Sequence, residues 1–238
     1  MFSAEDRKFL EGDSFKSGRK FRFGGKGQAE TRFAYILSRI QGKKIIHVGF
    51  ADHSAGMIKA KLKEGKWLHQ AMLDVADRCM GIDINSAATE FARTELGIAD
   101  LHCADLLEDE IPGLEEENWD YMILGEILEH VDDPVHFLSR IRERYAQRVK
   151  RMIITVPNAL YYKNFKLGWK GIEEINTDHR YWFTPYTLAK VMTRAGLHVE
   201  DLCCTQDFSL PFSPDISWFI LKHKPVLRSK VVACGLLA

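Results

Sequence analysis

Apolar positions along this chain follow two rhythms in turn, a helical one and a continuous β-branched one, and their alternation predicts a layered α/β domain. Within residues 28–41 the apolar side chains Phe33, Ile36, Leu37 and Ile40 fall at helical spacing, so a helix precedes the first strand. Residues 44–49 (KIIHVG) form the first strand, and helical stretches follow over 55–62 and 67–76. Residues 79–84 (CMGIDI) read as a second strand, 87–96 as a helix, 100–103 as a short third strand and 119–124 (WDYMIL) as a fourth. A helix over Pro134–Tyr145, a fifth strand over 151–156 (RMIITV) and a helix over 185–195 come next. Thr184 is the expected N-cap of that last helix, with Pro185 in its first turn. Residues 197–205 and 216–222 read as two further strands without a helical pattern between them, which predicts an antiparallel edge hairpin.

Strands that alternate with helices of this length pair in parallel, so the expected fold is a doubly wound α/β sheet with ligands at the carboxyl ends of its strands. The expected domain runs over residues 28–225. It is preceded by a basic N-terminal arm over 1–27, carrying Lys16, Arg19, Lys20, Arg22 and Lys26, and read as mobile. Residues 226–238 are read as a C-terminal tail or linker; their apolar end (VVACGLLA) would also suit a last strand.

Composition narrows the class. The 238 residues have a formal net charge of zero, so attraction to a polyanion has to come from a local patch. The 5 cysteines contain no CxxC pair, which points to a reduced cytoplasmic protein and away from a disulfide framework or a zinc knuckle. No apolar run reaches the length of a membrane span.

The candidate chemistry sits at the strand ends. A tight turn at Gly49, flanked by His47, Phe50 and Ala51, lets backbone N–H groups approach a ligand. Asp83 ends the second strand beside Ile84, where a carboxylate can receive both hydroxyls of a ribose. Asp105, followed by Leu106, comes after the third strand and can receive an adenine amino group. The fourth strand runs into Gly125-Glu126-Ile127-Leu128-Glu129-His130. If a helical turn begins there, Glu126, Glu129 and His130 share one face and make a divalent-metal site. His179, in the loop after the fifth strand, is the candidate fourth ligand.

The order IIHVGF, GIDIN, CADLLED, WDYMILGEILEHVDDP, RMIITVPN, DHRYWFTPYTLAKVMTRAGL resembles the class I S-adenosylmethionine-dependent methyltransferases over residues 43–200. The resemblance implies a Rossmann-like, mostly parallel sheet of seven strands. It places Gly49 and its neighbours at the methionine part of the cofactor, Asp83 at the ribose and Asp105 at the adenine. His47 stands where the family has an acid, and Ala51 and His53 where it has glycines. E-x-x-E-H followed by D-H is similar to the metal-site pattern of small-RNA 3′-terminal 2′-O-methyltransferases and, in its first half, of ubiquinone-pathway O-methyltransferases. In those families the corresponding residues hold a metal that orients the acceptor, here Mn²⁺ or Mg²⁺.

The resulting expectation is methylation of a sugar hydroxyl on a surface polysaccharide, with an acidic sugar such as Kdo as a suitable acceptor. RNA 3′-end 2′-O-methylation is the alternative, and a non-catalytic cofactor-fold scaffold the reading from outside enzymology. His53 is the candidate proton acceptor. Tyr161, Tyr162, Trp182 and Phe183 are the candidate acceptor wall, and Arg180 a candidate contact for an acidic group.

Overall fold

A computed structural model describes residues 2–23, 31–209 and 216–237. Its seven strands form one sheet in the order β3-β2-β1-β4-β5-β7-β6. β1 (Lys44–Val48), β2 (Arg78–Asp83), β3 (Leu101–Cys103), β4 (Trp119–Gly125) and β5 (Val149–Pro157) run parallel. β7 (Lys230–Leu236) lies antiparallel between β5 and the edge strand β6 (His198–Thr205). The expected doubly wound sheet with an antiparallel edge is therefore present.

Side chains of successive strand residues point to opposite faces, and the two faces are apolar in step. Ile45, Ile123, Ile153 and Val232 pack on one face against Tyr35, Ile36 and Ile40 of α2 (Arg32–Ile40) and Met72 of α4 (Leu68–Leu73). Ile46, Met122, Leu124 and Ile154 pack on the other against α6 (Pro134–Tyr145) and α8 (Pro185–Arg194). α3 (Ala55–Lys63) and α5 (Ser86–Thr94) close a smaller cluster around Phe50, Trp67 and Leu101. The caps are those the sequence demands: Asp133 caps α6 ahead of Pro134, and Thr184 forms a capping box with Thr187 ahead of Pro185.

Three expectations change at the ends of the chain. The residues expected as a strand over 216–222 form α9 (Ile216–His223). A short continuous apolar run fits a helix as well as a strand, and the ladder positions beside β6 are filled by β7. Residues 226–238, expected as a tail, supply that strand after a 3-10 turn at Pro225–Leu227. Gly235 is required there, because a Cβ would sit 2.9 Å from the carbonyl oxygen of His198 on the neighbouring strand.

The third concerns the basic arm, which is docked over its described part. Ser3 and Asp6 cap α1 (Ala4–Glu11), and Arg19 folds back onto Glu5 and Asp6. Arg194 and Lys190 of α8 bond the carbonyls of Glu11 and Phe9, while Phe2 and Phe21 pack on Tyr186. Lys16, Lys20 and Arg22 remain exposed, and Lys26 lies outside the described residues. Between β5 and α8 the chain adds α7 (Tyr162–Gly168), which the apolar pattern does not predict.

Candidate active site

A cleft of about 840 Å³ opens at the carboxyl ends of β1, β2 and β4. Its floor is the turn after β1. Gly49 has φ +76°, and its N–H donates to the carbonyl of Ile82 at 2.8 Å. A Cβ on Gly49 would lie 3.0 Å from Cδ1 of Ile127, so only glycine fits both the backbone and the space. Asp52 and His53 also take left-handed backbone, with φ +47° and +70°. His53 thus takes a left-handed backbone of the kind that favours glycine. Lys61 pairs with Asp52, Asn85 Nδ2 donates to the His53 carbonyl at 2.9 Å, and Ser54 caps α3, so the strained turn is held from several sides.

Asp83 Oδ2 accepts the Ala51 N–H at 3.0 Å and Oδ1 accepts the Asn85 N–H at 2.8 Å. The carboxylate is half-buried and lines the cleft, while Ile84 beside it is 78% exposed, an apolar wall without a protein partner on its outer side. Asp105 shapes its own turn, accepting from the N–H groups of Leu107 and Glu108, and lines the same end of the cleft with Leu106. Phe50 and Ala51 are buried beneath the turn.

His47 lies at the foot of the cleft, with Nδ1 3.1 Å from Nδ1 of His69 on α4. Burial, then the neighbouring His69, holds His47 well below the ordinary imidazole range, and burial pushes His69 down to about 3. Both rings are therefore neutral near pH 7. His69 is invisible to motif reasoning; its one signal is a polar residue on the buried face of α4, between Leu68 and Met72.

The expected four-ligand set divides in two. Leu128–His130 is a 3-10 turn, and Glu126 precedes it with φ +58°, so the three residues do not share a helical face. Glu126 is turned onto Lys230, accepts Thr155 Oγ1 at 3.0 Å and lies 3.6 Å from Arg32 Nη1. Asp207 completes a ring of four charges, 3.5 Å from both Lys230 and Arg32. Burial pushes the Glu126 carboxyl up, but Lys230 and Arg32 outweigh it and leave the group below its ordinary range.

Glu129, His130 and His179 do converge, with one ligand atom of each within 4.8 Å of the others. Glu129 has no exposed surface, and among the described residues neither of its carboxylate oxygens has a hydrogen-bond partner. Its nearest imidazole nitrogen is His179 Nε2, at 4.0 Å. Burial and then Glu126 push the Glu129 carboxyl up to about 8. His130 Nδ1 is bonded to Asp178 Oδ2 at 2.6 Å, which fixes the ring and leaves Nε2 without a hydrogen bond among the described residues. His179 lies edge-on to His130, 4.6 Å between centroids, and the Arg180 N–H ties this loop to the Glu129 carbonyl at 2.7 Å. His53 is at the rim, 6.3 Å from the His130 ring.

The expected aromatic wall does not line the cleft. Phe183 is buried in the core, Trp182 Nε1 donates to Glu173 at 2.9 Å, and Tyr161 and Tyr162 lie at the start of α7. Apolar lining comes instead from Ile84, Ile127, Phe137 and Phe208, and Arg180 is paired with Asp132.

A glycine turn after β1, an acid ending β2 and a second acid after β3, all on one parallel sheet, are the setting of a nucleoside-bearing ligand. A family model for a methyltransferase domain matches residues 56–202. The chain belongs to this methyltransferase family. It is a class I S-adenosylmethionine-dependent methyltransferase, and the match begins just past the altered turn at Gly49–His53. No curated protein matches the methyltransferase's sequence.

Among solved structures, the methyltransferase resembles the complex between the Haloferax volcanii Trm112 methyltransferase activator and its methyltransferase, at 19% identity and a TM-score of 0.52 over 85% of this chain and 87% of that one. It also resembles the small RNA methyltransferase HEN1, at 15% identity and a TM-score of 0.54 over 93% of this chain and 27% of the other. A SAM-dependent methyltransferase from Archaeoglobus fulgidus is 16% identical over 86% of this chain and 91% of that one, with a TM-score of 0.49. At these identities the property shared with the first two is the fold.

Proposed function

We propose that this methyltransferase methylates a sugar hydroxyl with the help of a divalent metal held by Glu129, His130 and His179. The observation that carries the reading is the fully buried Glu129 carboxylate, unpartnered among the described residues and facing two imidazoles. A buried carboxylate without a partner is costly, and a cation between these three groups removes the cost. One oxygen with two imidazole nitrogens suits Mn²⁺ or another transition metal better than Mg²⁺, which prefers an all-oxygen shell. When bound, the metal lowers the pKa of an attached hydroxyl and orients it. Glu126, held by Lys230 and Arg32, stands outside this set.

S-adenosylmethionine supplies a methyl group on a sulfonium, and its transfer needs an in-line nucleophile and little covalent help. Asp83 would receive the ribose, Ile84 and Leu106 would flank the adenine near Asp105, and Gly49 with Gly125 would admit the methionine end beside His47. Asp178 sets the His130 ring, and His53 at the rim would take the hydroxyl proton. Of the cations that line the cleft, Arg32 is paired with Glu126 and Asp207, Lys61 with Asp52 and Lys66 with Glu64, so the choice of an acidic sugar rests on the sequence resemblance.

The test is transfer of a radiolabelled methyl group to acidic sugars, Kdo among them, with and without Mn²⁺. Metal-stimulated incorporation into a sugar is the expected result. Incorporation only into RNA carrying a free 3′ ribose would replace the acceptor, since that ribose also offers vicinal hydroxyls. Metal-independent turnover would remove the metal from the reading.

A further inference from the structure

Two surface helices hang from one point of the sheet. Asn158, just past β5, donates through Nδ2 to the carbonyls of Val226 and Arg228, at 2.9 and 2.7 Å. Asn164 of α7 donates to the Asn158 carbonyl at 3.3 Å, and Arg228 Nε donates to Leu221 of α9 at 3.0 Å. α7 and α9 are thereby joined at the carboxyl end of β5, the end at which the cleft opens. The run that follows α7 leads directly into Asn176, Asp178 and His179 of the cleft wall.

This end exposes large apolar side chains. Trp169 is 94% exposed, Phe165 55% and Ile172 50% in and after α7; Ile216 is 70% and Phe219 58% exposed on α9. Single exposed apolar residues are ordinary, but this many at one end mark an interaction surface. Lysines are interleaved with them: Lys163, Lys166 and Lys170 beside α7, Lys222 and Lys224 at the end of α9. The acids in these segments are Glu173 and Glu174, and Lys163 pairs with Glu174.

We propose that this end of the enzyme docks on an anionic lipid bilayer, with Phe165, Trp169, Ile216 and Phe219 in the headgroup boundary and the lysines on the phosphates. The inference goes beyond the choice of acceptor and does not depend on it. Aromatic and aliphatic side chains bordered by lysine are the composition of an interfacial anchor. Among the described residues no helix is long and apolar enough to cross a membrane, so the contact is peripheral. A second copy of the chain fits less well, because a two-fold contact would bring two copies of the same lysine-rich patch together. Single-stranded RNA would stack on the rings but leave Ile172 and Ile216 without a role. Docked in this way, the cleft opens beside the headgroups, where a lipid-borne acceptor would be presented.

The experiment is co-sedimentation of the full chain with vesicles of phosphatidylcholine alone and of an equimolar mixture with phosphatidylglycerol. Partition onto the anionic vesicles should exceed that onto neutral ones by about tenfold or more and should fall with salt. The variants F165S/W169S and F219S, and separately K166E/K170E, should each lose about tenfold or more of that partition. Unchanged melting temperature and S-adenosylmethionine affinity would show that the variants remain folded. Equal partition onto both vesicles, or variants that partition as the parent does, would overturn the proposal. So would binding of single-stranded RNA, or a dimer lost in these variants, when no vesicle binding occurs.

Discussion

Lys230, the first residue of β7, closes an ion pair on Glu126 at the end of β4, two positions separated by more than a hundred residues in sequence. The insertion of β7 beside β5 brings them together, and the pair converts an expected metal ligand into one corner of a charge ring with Arg32 and Asp207.

Removing Lys230 alone should therefore cost more than removing both partners. Lys230→Met leaves Glu126 facing a half-emptied ring. With the two side chains 15% and 22% exposed, the loss should fall toward the lower end of the range for breaking a buried pair, about 3 kcal/mol. The double variant Lys230→Met/Glu126→Gln should recover part of it. Urea unfolding midpoints of the parent, Lys230→Met, Glu126→Gln and the double variant check this; strictly additive losses would mean that the pair is not coupled.

Gly49→Ala tests the floor of the cleft. The new methyl meets Ile127 Cδ1 at 3.0 Å on a backbone of φ +76°, so a loss of about 1–2 kcal/mol and a weaker cofactor affinity are expected. Gly49→Ala/Ile127→Val, which removes the contacted Cδ1, should restore part of the affinity while the backbone strain remains. Cofactor titration of both variants separates the two causes.

The His47–His69 pair makes stability depend on acid. Burial depresses the folded-state pKa of both rings, to about 3 for His69 against an ordinary 6.5. A histidine buried neutral contributes its full stability above pH 6.5, and that contribution is lost as pH falls through 6.5 toward about 3. For His69 each pH unit in that window costs up to about 1.4 kcal/mol, and His47 adds to the loss in the same direction. Unfolding midpoints at pH 7.5, 6 and 5 should fall for the parent and fall less steeply for His69→Asn, which cannot take up a proton.

These residues also mark where the sequence is legible. The strand ends, Gly49, Asp83 and Asp105 are local features, each announced by a run of apolar residues that stops at a turn or an acid, and they line one cleft as expected. Lys230, Arg32 and Asp207 lie in three distant segments, and only the β5-β7-β6 order assembles them. The spacing of Glu126 to Glu129 and His130 suits a helix, whereas its left-handed φ of +58° takes it out of one and Lys230 claims its carboxylate. α9 is ambiguous in the sequence because ISWFILK fits both periodicities, and the partner of β6 lies in residues that also suit a tail.

Asp178 should tune the metal site without touching the metal. Its 2.6 Å bond to His130 Nδ1 fixes the ring that presents Nε2. Asp178→Asn should weaken Mn²⁺ binding by about 10–100-fold while leaving S-adenosylmethionine affinity unchanged. Isothermal titration with each ligand checks both halves of this expectation.

The most direct test of the central claim is calorimetric titration of chelator-treated protein with S-adenosylmethionine and then with Mn²⁺, run in parallel on Glu129→Ala. Both proteins should bind the cofactor, and only the parent should bind the metal. Equal Mn²⁺ binding by Glu129→Ala, or none by the parent, would contradict the metal site, and no cofactor binding by the parent would contradict the methyltransferase cleft itself.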